Sequence, residues 1–487
     1  MTLDKDLLSV QEARDLALKA FEAQKIWANA SQELIDHVCS KMAEAAYQAS
    51  ERLGGMAHDE TGFGVAAHKK IKNEFASKYI WESIKDIKTV GVINEDRARH
   101  IYEIAWPAGV IAGLTPSTNP TSTVMAKVLM AVKARDAIII APHPSAAKCS
   151  YATAELMAKV ALEAGAPEGL ISCMQHVSLE GTQALMSHKR VALILATGGS
   201  GMVKAAHSVG KPAYGVGPGN VPVYVDRSAD IEKAARYITS SKAFDHSTIC
   251  ATEQAVVADR PIAYDLRKLM EAQGAYFVSE AQADLLRGLL FNPDRSINNK
   301  TVGKSAHYLA AMAGFPVPET TRVLVARLKK VGRDEPLSRE KLTTVLGWYE
   351  EDGWEAGCER SIELISYGGR GHTQIIYAKD ENVIMAYGLE KPVFRILVNT
   401  MGTLGAIGFT TGVMPSMTLG AGAIGGSITG DNVTVHHLFN VKRLAYETRT
   451  APEGFFKPSS QKAGLSPQEI EREVLQVVEE IMNSTTS

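Results

Sequence analysis

Two doubly wound α/β domains with a β-ribbon arm are what this 487-residue sequence predicts. Three observations carry the prediction. The runs AIIIA (137–141) and ALILA (192–196) are apolar almost without interruption, as in parallel strands covered on both faces. Strand-like and helix-like segments alternate from GVIAGLTP (109–116) to VALILATGG (191–199), the signature of a doubly wound sheet. The chain is also longer than one hydrophobic core usually serves, and its 45 % hydrophobic residues suffice for more than one.

The elements follow in order. SVQE, Ser9 to Glu12, reads as a capping box, and Ala13, Leu16, Ala17, Ala20 and Phe21 after it make the first helix amphipathic. A second helical pattern covers roughly residues 31–53. KTVGVI (88–93) and HIYEIAW (100–106), separated by the charged NEDRAR, read as a two-stranded antiparallel ribbon. Helices are expected near 121–134, 148–164 and 181–188, between the strands GVIAGLTP, DAIIIAPHP, LISCMQ and VALILATGG. Similar signals resume at YVD (224–226) and run to about residue 410. The expected organisation is a dinucleotide-binding domain over 1–223 carrying the ribbon arm 88–106, and a catalytic domain over 224–410. A return segment with an oligomerisation strand over 411–450 follows, then a linker and C-terminal helix over 451–487.

Charge and cysteine usage exclude several functions. Lys+Arg of 52 against Asp+Glu of 54 leaves a net charge of -2, so there is no basic field for nucleic acid or an anionic membrane. No run of 18 apolar residues occurs and the first residues are polar, so the expected location is cytoplasmic. Cys39, Cys149, Cys173, Cys250 and Cys358 are odd in number, widely spaced and without a CxxC, which predicts neither disulfides nor a metal site.

One cysteine stands in FDHSTICATEQ (244–254), behind Asp245, His246 and Ser247. On its own, Cys250 reads as a nucleophile, a ligand or a small buried residue. Three Gly-, Pro- and Ser/Thr-rich turns follow strands of the first domain: LTPSTNP (114–120), APHPSA (141–146) and ATGGSGMVKAA (196–206). Ligands of such sheets bind outside the carboxyl ends of the strands, and a helix opening at Gly199 and Ser200 would offer backbone N–H groups to a phosphate. The GxGxxG fingerprint is missing.

Taken together, LTPSTNP, ATGGSGMVKAAHSVGKPAYGVGPGNVP (196–222), FDHSTICATEQ, GGRGHT (368–373), RILVNT (395–400) and PSMTLGAGAIGG (415–426) resemble the CoA-acylating branch of the aldehyde dehydrogenase superfamily. The resemblance runs in order from about residue 10 to about residue 446. It implies that Cys250 is the nucleophile, adding to the aldehyde carbonyl as a thiohemiacetal, and that Asn119 donates to the resulting oxyanion. Hydrolytic relatives carry a glutamate in a segment resembling ELGGK; YGVGPGNVP (214–222) has no acid there, so coenzyme A is the implied acyl acceptor and an acyl-CoA the product. Glu253 is implied to be structural.

The resemblance assigns Thr115, Pro116, His143, Gly198, Gly199 and Ser200 to NAD or NADP, without distinguishing the two, and Glu335 in DEPLS to the nicotinamide ribose. His246, Thr248 and Arg395 are implied to contact substrate, with overall similarity leaning toward the sulfoacetaldehyde enzymes. Acetaldehyde, propionaldehyde and succinate semialdehyde are the alternative substrates, and a hydrolytic dehydrogenase the alternative class. The ribbon and NVTVHHLFNVKRLAYE (432–447) predict a homodimer or homotetramer. Past the linker-like ETRTAPEGFFKPSSQKAGL, SPQE (466–469) caps a helix with Ile470, Val474, Val478 and Ile481 on one face. That face is expected to dock on the protein's own oligomer or on a bacterial microcompartment shell.

Overall fold

The computed structural model describes residues 4–452, 455 and 464–484, without the side chains of 200 and 482–484. Most of the expected linker lies outside the described residues. Two compact units emerge, one from residues 1–91 and 105–441 and a smaller one from 92–104 and 442–487.

In the smaller unit, β1 (Val92–Asp96) and β2 (Ile101–Pro107) pair antiparallel, as the ribbon predicts, with the first strand displaced toward the charged turn. The five-stranded parallel sheet of the larger unit consists of β3 (Val110–Thr115), β4 (Ala137–Pro142), β5 (Ile171–Cys173), β6 (Val191–Thr197) and β7 (Ala213–Val216), in the order β5-β4-β3-β6-β7. From β3 the chain winds outward through β4 and β5, then returns to the other side of β3 with β6. The switch point therefore lies between β3 and β6, where a crevice opens at the carboxyl ends. Helix Pro120–Lys133 follows β3 and is buried along its whole length. Its Lys127 is fully buried and donates to the carbonyls of Leu114 (2.6 Å) and Leu195 (2.8 Å), tying the ends of β3 and β6 together at that crevice.

The second parallel sheet contains β8 (Val221–Val225), β9 (Glu253–Asp259), β10 (Ala275–Phe277), β11 (Val323–Arg327), β12 (Val345–Glu351), β13 (Gln374–Tyr377) and β14 (Ile396–Val398). Their order is β10-β11-β12-β9-β8-β13-β14, so β9, β8 and β13 are direct neighbours and their amino ends lie side by side. β15 (Phe439–Ala445) joins β2 in a three-stranded sheet of order β1-β2-β15.

Three local expectations are corrected. The first helix is Lys5–Trp27, so Ser9 is no cap; it is buried within the helix. The pattern over 31–53 is two helices, Gln32–Gln48 and Ser50–Thr61, interrupted at Ala49. The strand expected from 432 starts only at Phe439, because Thr434 and His437 cap a helical turn over Val435–His437. Among the described residues, no helix is long and apolar enough to cross a membrane and no cluster of His, Cys, Asp or Glu could hold a metal.

Candidate active site

The loops at the carboxyl ends of β3 and β6 face the segments that enter β8 and β9. A cavity of ≈ 670 Å³ lies between them, within the usual range for small-molecule sites. Thr115, Pro116, His143, Gly198, Gly199, Asn119, Thr248 and Cys250 all line it, so most of the expected cofactor residues share one space with the expected nucleophile.

Cys250 sits three residues before β9 proper, His372 two before β13 and Gly219 two before β8, and adjacency of the three strands brings them together. His372 Nε2 lies 3.2 Å from Cys250 Sγ, and its Nδ1 lies 2.9 Å from Thr373 Oγ1. A side chain at position 219 has no room: its Cβ would stand 2.4 Å from the Cys250 carbonyl and 3.0 Å from His372 Nδ1. Cys250 is half-buried, and the protein packed around it, with Glu340 adding to the effect and Arg395 opposing it, pushes the thiol up to about 12. Burial, reinforced by Arg395, pushes His372 down to about 3. The pair is therefore a neutral thiol against a neutral imidazole near pH 7, not a thiolate–imidazolium pair.

Ahead of Cys250 the backbone makes a left-handed turn, with φ of 46° at Asp245, 49° at His246 and 67° at Ser247. Non-glycine residues rarely adopt such angles, and here the surroundings impose them. Asp245 is fully buried; its Oδ1 accepts from the Val65 N–H (2.7 Å), and its Oδ2 accepts from Lys69 (3.2 Å), Lys72 and Thr248 Oγ1 (2.5 Å). Burial acts to raise Asp245, but Lys72 and Lys69 outweigh it and hold the carboxyl at about 2. Gly64 has φ 71°, and a Cβ there would lie 1.9 Å from Asp245 Oδ1. Asn119 Nδ2 donates to the Thr248 carbonyl at 3.0 Å and to Thr118 Oγ1 at 3.3 Å, which places the carboxamide beside the turn that leads to Cys250.

Several expected contacts are not made. Glu335 does not line the cavity; it caps the turn Pro336–Ser338 and is held by Arg287, with Nη2 at 2.7 Å. The carboxylate that does line it is Glu340, five residues on, which accepts from the Gly219 N–H at 3.0 Å and which burial raises to about 7. His246 turns to the Gly303 carbonyl (3.1 Å) and does not line the cavity. Arg395 is buried; its Nη1 donates to the Gly430 carbonyl (3.0 Å) and Asn432 Oδ1 (3.2 Å) and its Nη2 to the Gly420 carbonyl, bracing the loop that brings Met417 and Leu419 to the cavity, while its Nε has no protein partner. Thr248 lines the cavity with its hydroxyl committed to Asp245. Glu253 is buried on β9; its Oε1 accepts from the Gly402 N–H at 2.7 Å, its Oε2 has no protein partner, and it does not line the cavity.

The dinucleotide loops suit their expected ligand. Gly199 is the N-cap of helix Ser200–Ser208, whose backbone start offers donors for an anion; the Ser200 side chain lies outside the described residues. Thr115 Oγ1 and Thr123 Oγ1 are buried, line the cavity and have no protein partner, so each has hydrogen-bonding capacity left for a ligand. The lining also includes Phe63, Asn299, Val302, Leu342, Ile407, Met417 and Leu419, and no Lys or Arg among the described residues lines the cavity.

A model of the aldehyde dehydrogenase family matches residues 5–281. The crystal structure of an acetylating aldehyde dehydrogenase from Geobacillus thermoglucosidasius superposes with a TM-score of 0.92 at 49 % identity, over 93 % of this chain and 100 % of that one. A succinate-semialdehyde dehydrogenase (acetylating) from Clostridium kluyveri is 39 % identical over 442 residues, 90 % of this chain and 96 % of the relative. Aldehyde-alcohol dehydrogenase 2 of Entamoeba histolytica is 39 % identical over 475 residues, which are 94 % of this chain but 54 % of the relative, so the chain spans about half the length of that longer protein.

Proposed function

This chain belongs to the aldehyde dehydrogenase family, and from that premise we propose that it oxidises a short aldehyde to its acyl-CoA, with NAD or NADP accepting the hydride and coenzyme A accepting the acyl group. The observation that carries the reading is one cavity shared by Cys250, Asn119 and the dinucleotide loops, with no carboxylate on the loop 217–219 that faces the thiol.

Cys250 adds to the aldehyde carbonyl, its proton passing to solvent, since burial and Arg395 leave His372 too weak a base to keep it. The Asn119 amide and the Cys250 backbone N–H stabilise the alkoxide of the thiohemiacetal. Thr115, Thr123, Glu340 and the helix start at Gly199 would hold the dinucleotide. When bound, it supplies the hydride acceptor. An acyl thioester on Cys250 then meets coenzyme A, whose thiol attacks a thioester far more readily than unactivated water does.

The cavity lining favours an uncharged aldehyde such as acetaldehyde or propionaldehyde over sulfoacetaldehyde or succinate semialdehyde, because no Lys or Arg among the described residues lines it; Arg395, whose charge is felt at Cys250, has Nη1 and Nη2 held by Gly430, Asn432 and Gly420. Glu340 supports a second reading. It is a cavity carboxylate poised near neutrality, and as a general base it would make the enzyme hydrolytic. Its oxygen is already engaged by Gly219, which favours a binding role.

Aldehyde and oxidised dinucleotide without coenzyme A should release about one reduced dinucleotide per active site and then stall; coenzyme A should restore turnover, with acyl-CoA as product by mass spectrometry. Sustained acid formation without coenzyme A would overturn the reading in favour of the Glu340 alternative.

Two partner proposals accompany it. The outer strands of the three-stranded sheet, β1 and β15, carry edge groups that a second copy can pair, giving a homodimer or homotetramer. Helix Pro467–Ser484 exposes Ile470, Val474, Val478 and Ile481 at 46–58 %, a face suited to docking on that oligomer or on a microcompartment shell. A chain lacking 452–487 that still enters shells but loses its oligomer excludes the shell role.

A further inference from the structure

The helix Ala66–Glu74 was silent in the sequence, yet it delivers a buried lysine to the back of the proposed oxyanion site. Lys72 is 2 % exposed. Its Nζ donates to Asn119 Oδ1, to Asp245 Oδ2 and to Thr248 Oγ1, the last at 3.1 Å. Three acceptors match the three hydrogens of an ammonium, so no donor is left over.

Asn119 matters here because a carboxamide is nearly symmetric in shape and opposite in function at its two ends. Rotated by half a turn, it would present an acceptor where a developing oxyanion needs a donor. In its ammonium form Lys72 cannot accept a hydrogen bond, so, charged and paired with Asp245, it holds behind Asn119 the rotamer with Oδ1 turned back and Nδ2 turned forward. Nδ2 then reaches the Thr248 carbonyl at 3.0 Å and holds a weaker 3.3 Å contact to Thr118 Oγ1, the contact an oxyanion would replace. Lys69, one turn earlier on the same helix, fixes the other side of the loop by donating to the Thr118 carbonyl at 3.1 Å. Burial draws Lys72 down to about 7 and Asp245 opposes it; the carboxylate is the partner that keeps a cation at this depth.

Resting on the assignment of Asn119 as an oxyanion donor, we propose that Lys72 is a positioning residue: it locks the Asn119 carboxamide with its N–H toward the reacting carbonyl and acts on the rate only through that amide. Lys72→Met is the direct probe, since it leaves Asp245 paired with Lys69 and the turn intact.

The test is a mutant cycle in kcat. Asn119→Ala should lower kcat ~10²-fold to 10³-fold. Lys72→Met should lower it by roughly 10-fold to 10²-fold, part of the same effect, with KM for the dinucleotide unchanged within about twofold. In the Asn119→Ala background the Lys72→Met change should cost almost nothing more, because the group it positions is gone. Losses that multiply in the double variant would overturn the proposal and leave Lys72 a structural cation. An Asn119→Ala enzyme with full kcat would remove the oxyanion assignment, and the role of Lys72 with it. Circular dichroism and the thermal midpoint report whether each variant folds, and Lys72→Gln enters the same cycle if Lys72→Met does not.

Discussion

Cys250 is a thiol at rest, and that single fact governs its reactivity. Because burial and Glu340 push it up to about 12, its thiolate fraction grows with hydroxide concentration throughout the neutral range. Alkylation of the free enzyme by iodoacetamide at Cys250 should therefore rise about tenfold per pH unit from pH 7 to 9 with no plateau, followed by peptide mass spectrometry; a plateau near pH 7 would indicate an ion pair with His372 that burial of both groups disfavours. Cys250→Ala should abolish turnover while dinucleotide binding by fluorescence titration survives, since the loops after β3 and β6 do not depend on the thiol. At this scale the sequence was readable where a residue sits in a distinctive segment. Cys250 and Asn119 both stand in such segments and both line the cavity. Glu335 and Glu340 are a harder case: two acids within one short stretch, separated in role only by Arg287, which arrives from 48 residues away. His246 stands close before Cys250 in sequence, yet its ring meets the Gly303 carbonyl and does not line the cavity. Proximity in sequence to a nucleophile says nothing about where a side chain points once three left-handed residues intervene.

The left-handed turn before β9 depends on partners drawn from an element remote in sequence, which is why no local pattern announces it. Asp245→Asn would leave Lys69 and Lys72 without their buried counter-charge, a loss of about 3–5 kcal/mol, read as a lower urea midpoint at unchanged m-value. The same group links stability to pH. Its folded value lies near 2, below the ordinary aspartate value, so the stabilisation is present above pH 4 and is lost as pH falls through about 2. Asp245→Asn should flatten that acid limb. Gly64→Ala should be nearly as damaging, for both its φ of 71° and its contact with Asp245 exclude a methyl group. Capping boxes illustrate the limit of local reading from the other side. SPQE closes as read, with the Ser466 N–H donating to Glu469 Oε2 at 2.7 Å, whereas SVQE lies inside a helix that began four residues earlier. Both have the spacing; only one has free N–H groups to satisfy.

For the molecule as a whole, the parallel sheets were legible because burial on both faces removes polar alternation from the strands, and strand order was not, because order is a product of long-range pairing. The cavity depends on that order: it needs β3 beside β6, and β9, β8 and β13 side by side. Light scattering should find a dimer or tetramer, and removing 452–487 should leave kcat within about twofold, because the residues of helix Pro467–Ser484 that are described lie at the surface and none lines the cavity.

The crowding around Gly219 has a consequence for the direction of the reaction. With no side chain able to enter between the Cys250 carbonyl and His372, evolution cannot install a water-activating acid at that position by a single substitution. If coenzyme A is the acceptor, as proposed, oxidation and acyl transfer are coupled, and the free energy released by the aldehyde is conserved in a thioester bond rather than dissipated as carboxylate. A reaction that conserves its energy can run backward. On the proposed reading, Cys250 can take the acyl group from acyl-CoA with release of coenzyme A, a reduced dinucleotide can give the resulting thioester a hydride, and collapse of the thiohemiacetal frees the aldehyde and the thiol; the sense of flux then follows the ratios of reduced to oxidised dinucleotide, of acyl-CoA to free coenzyme A and the aldehyde concentration.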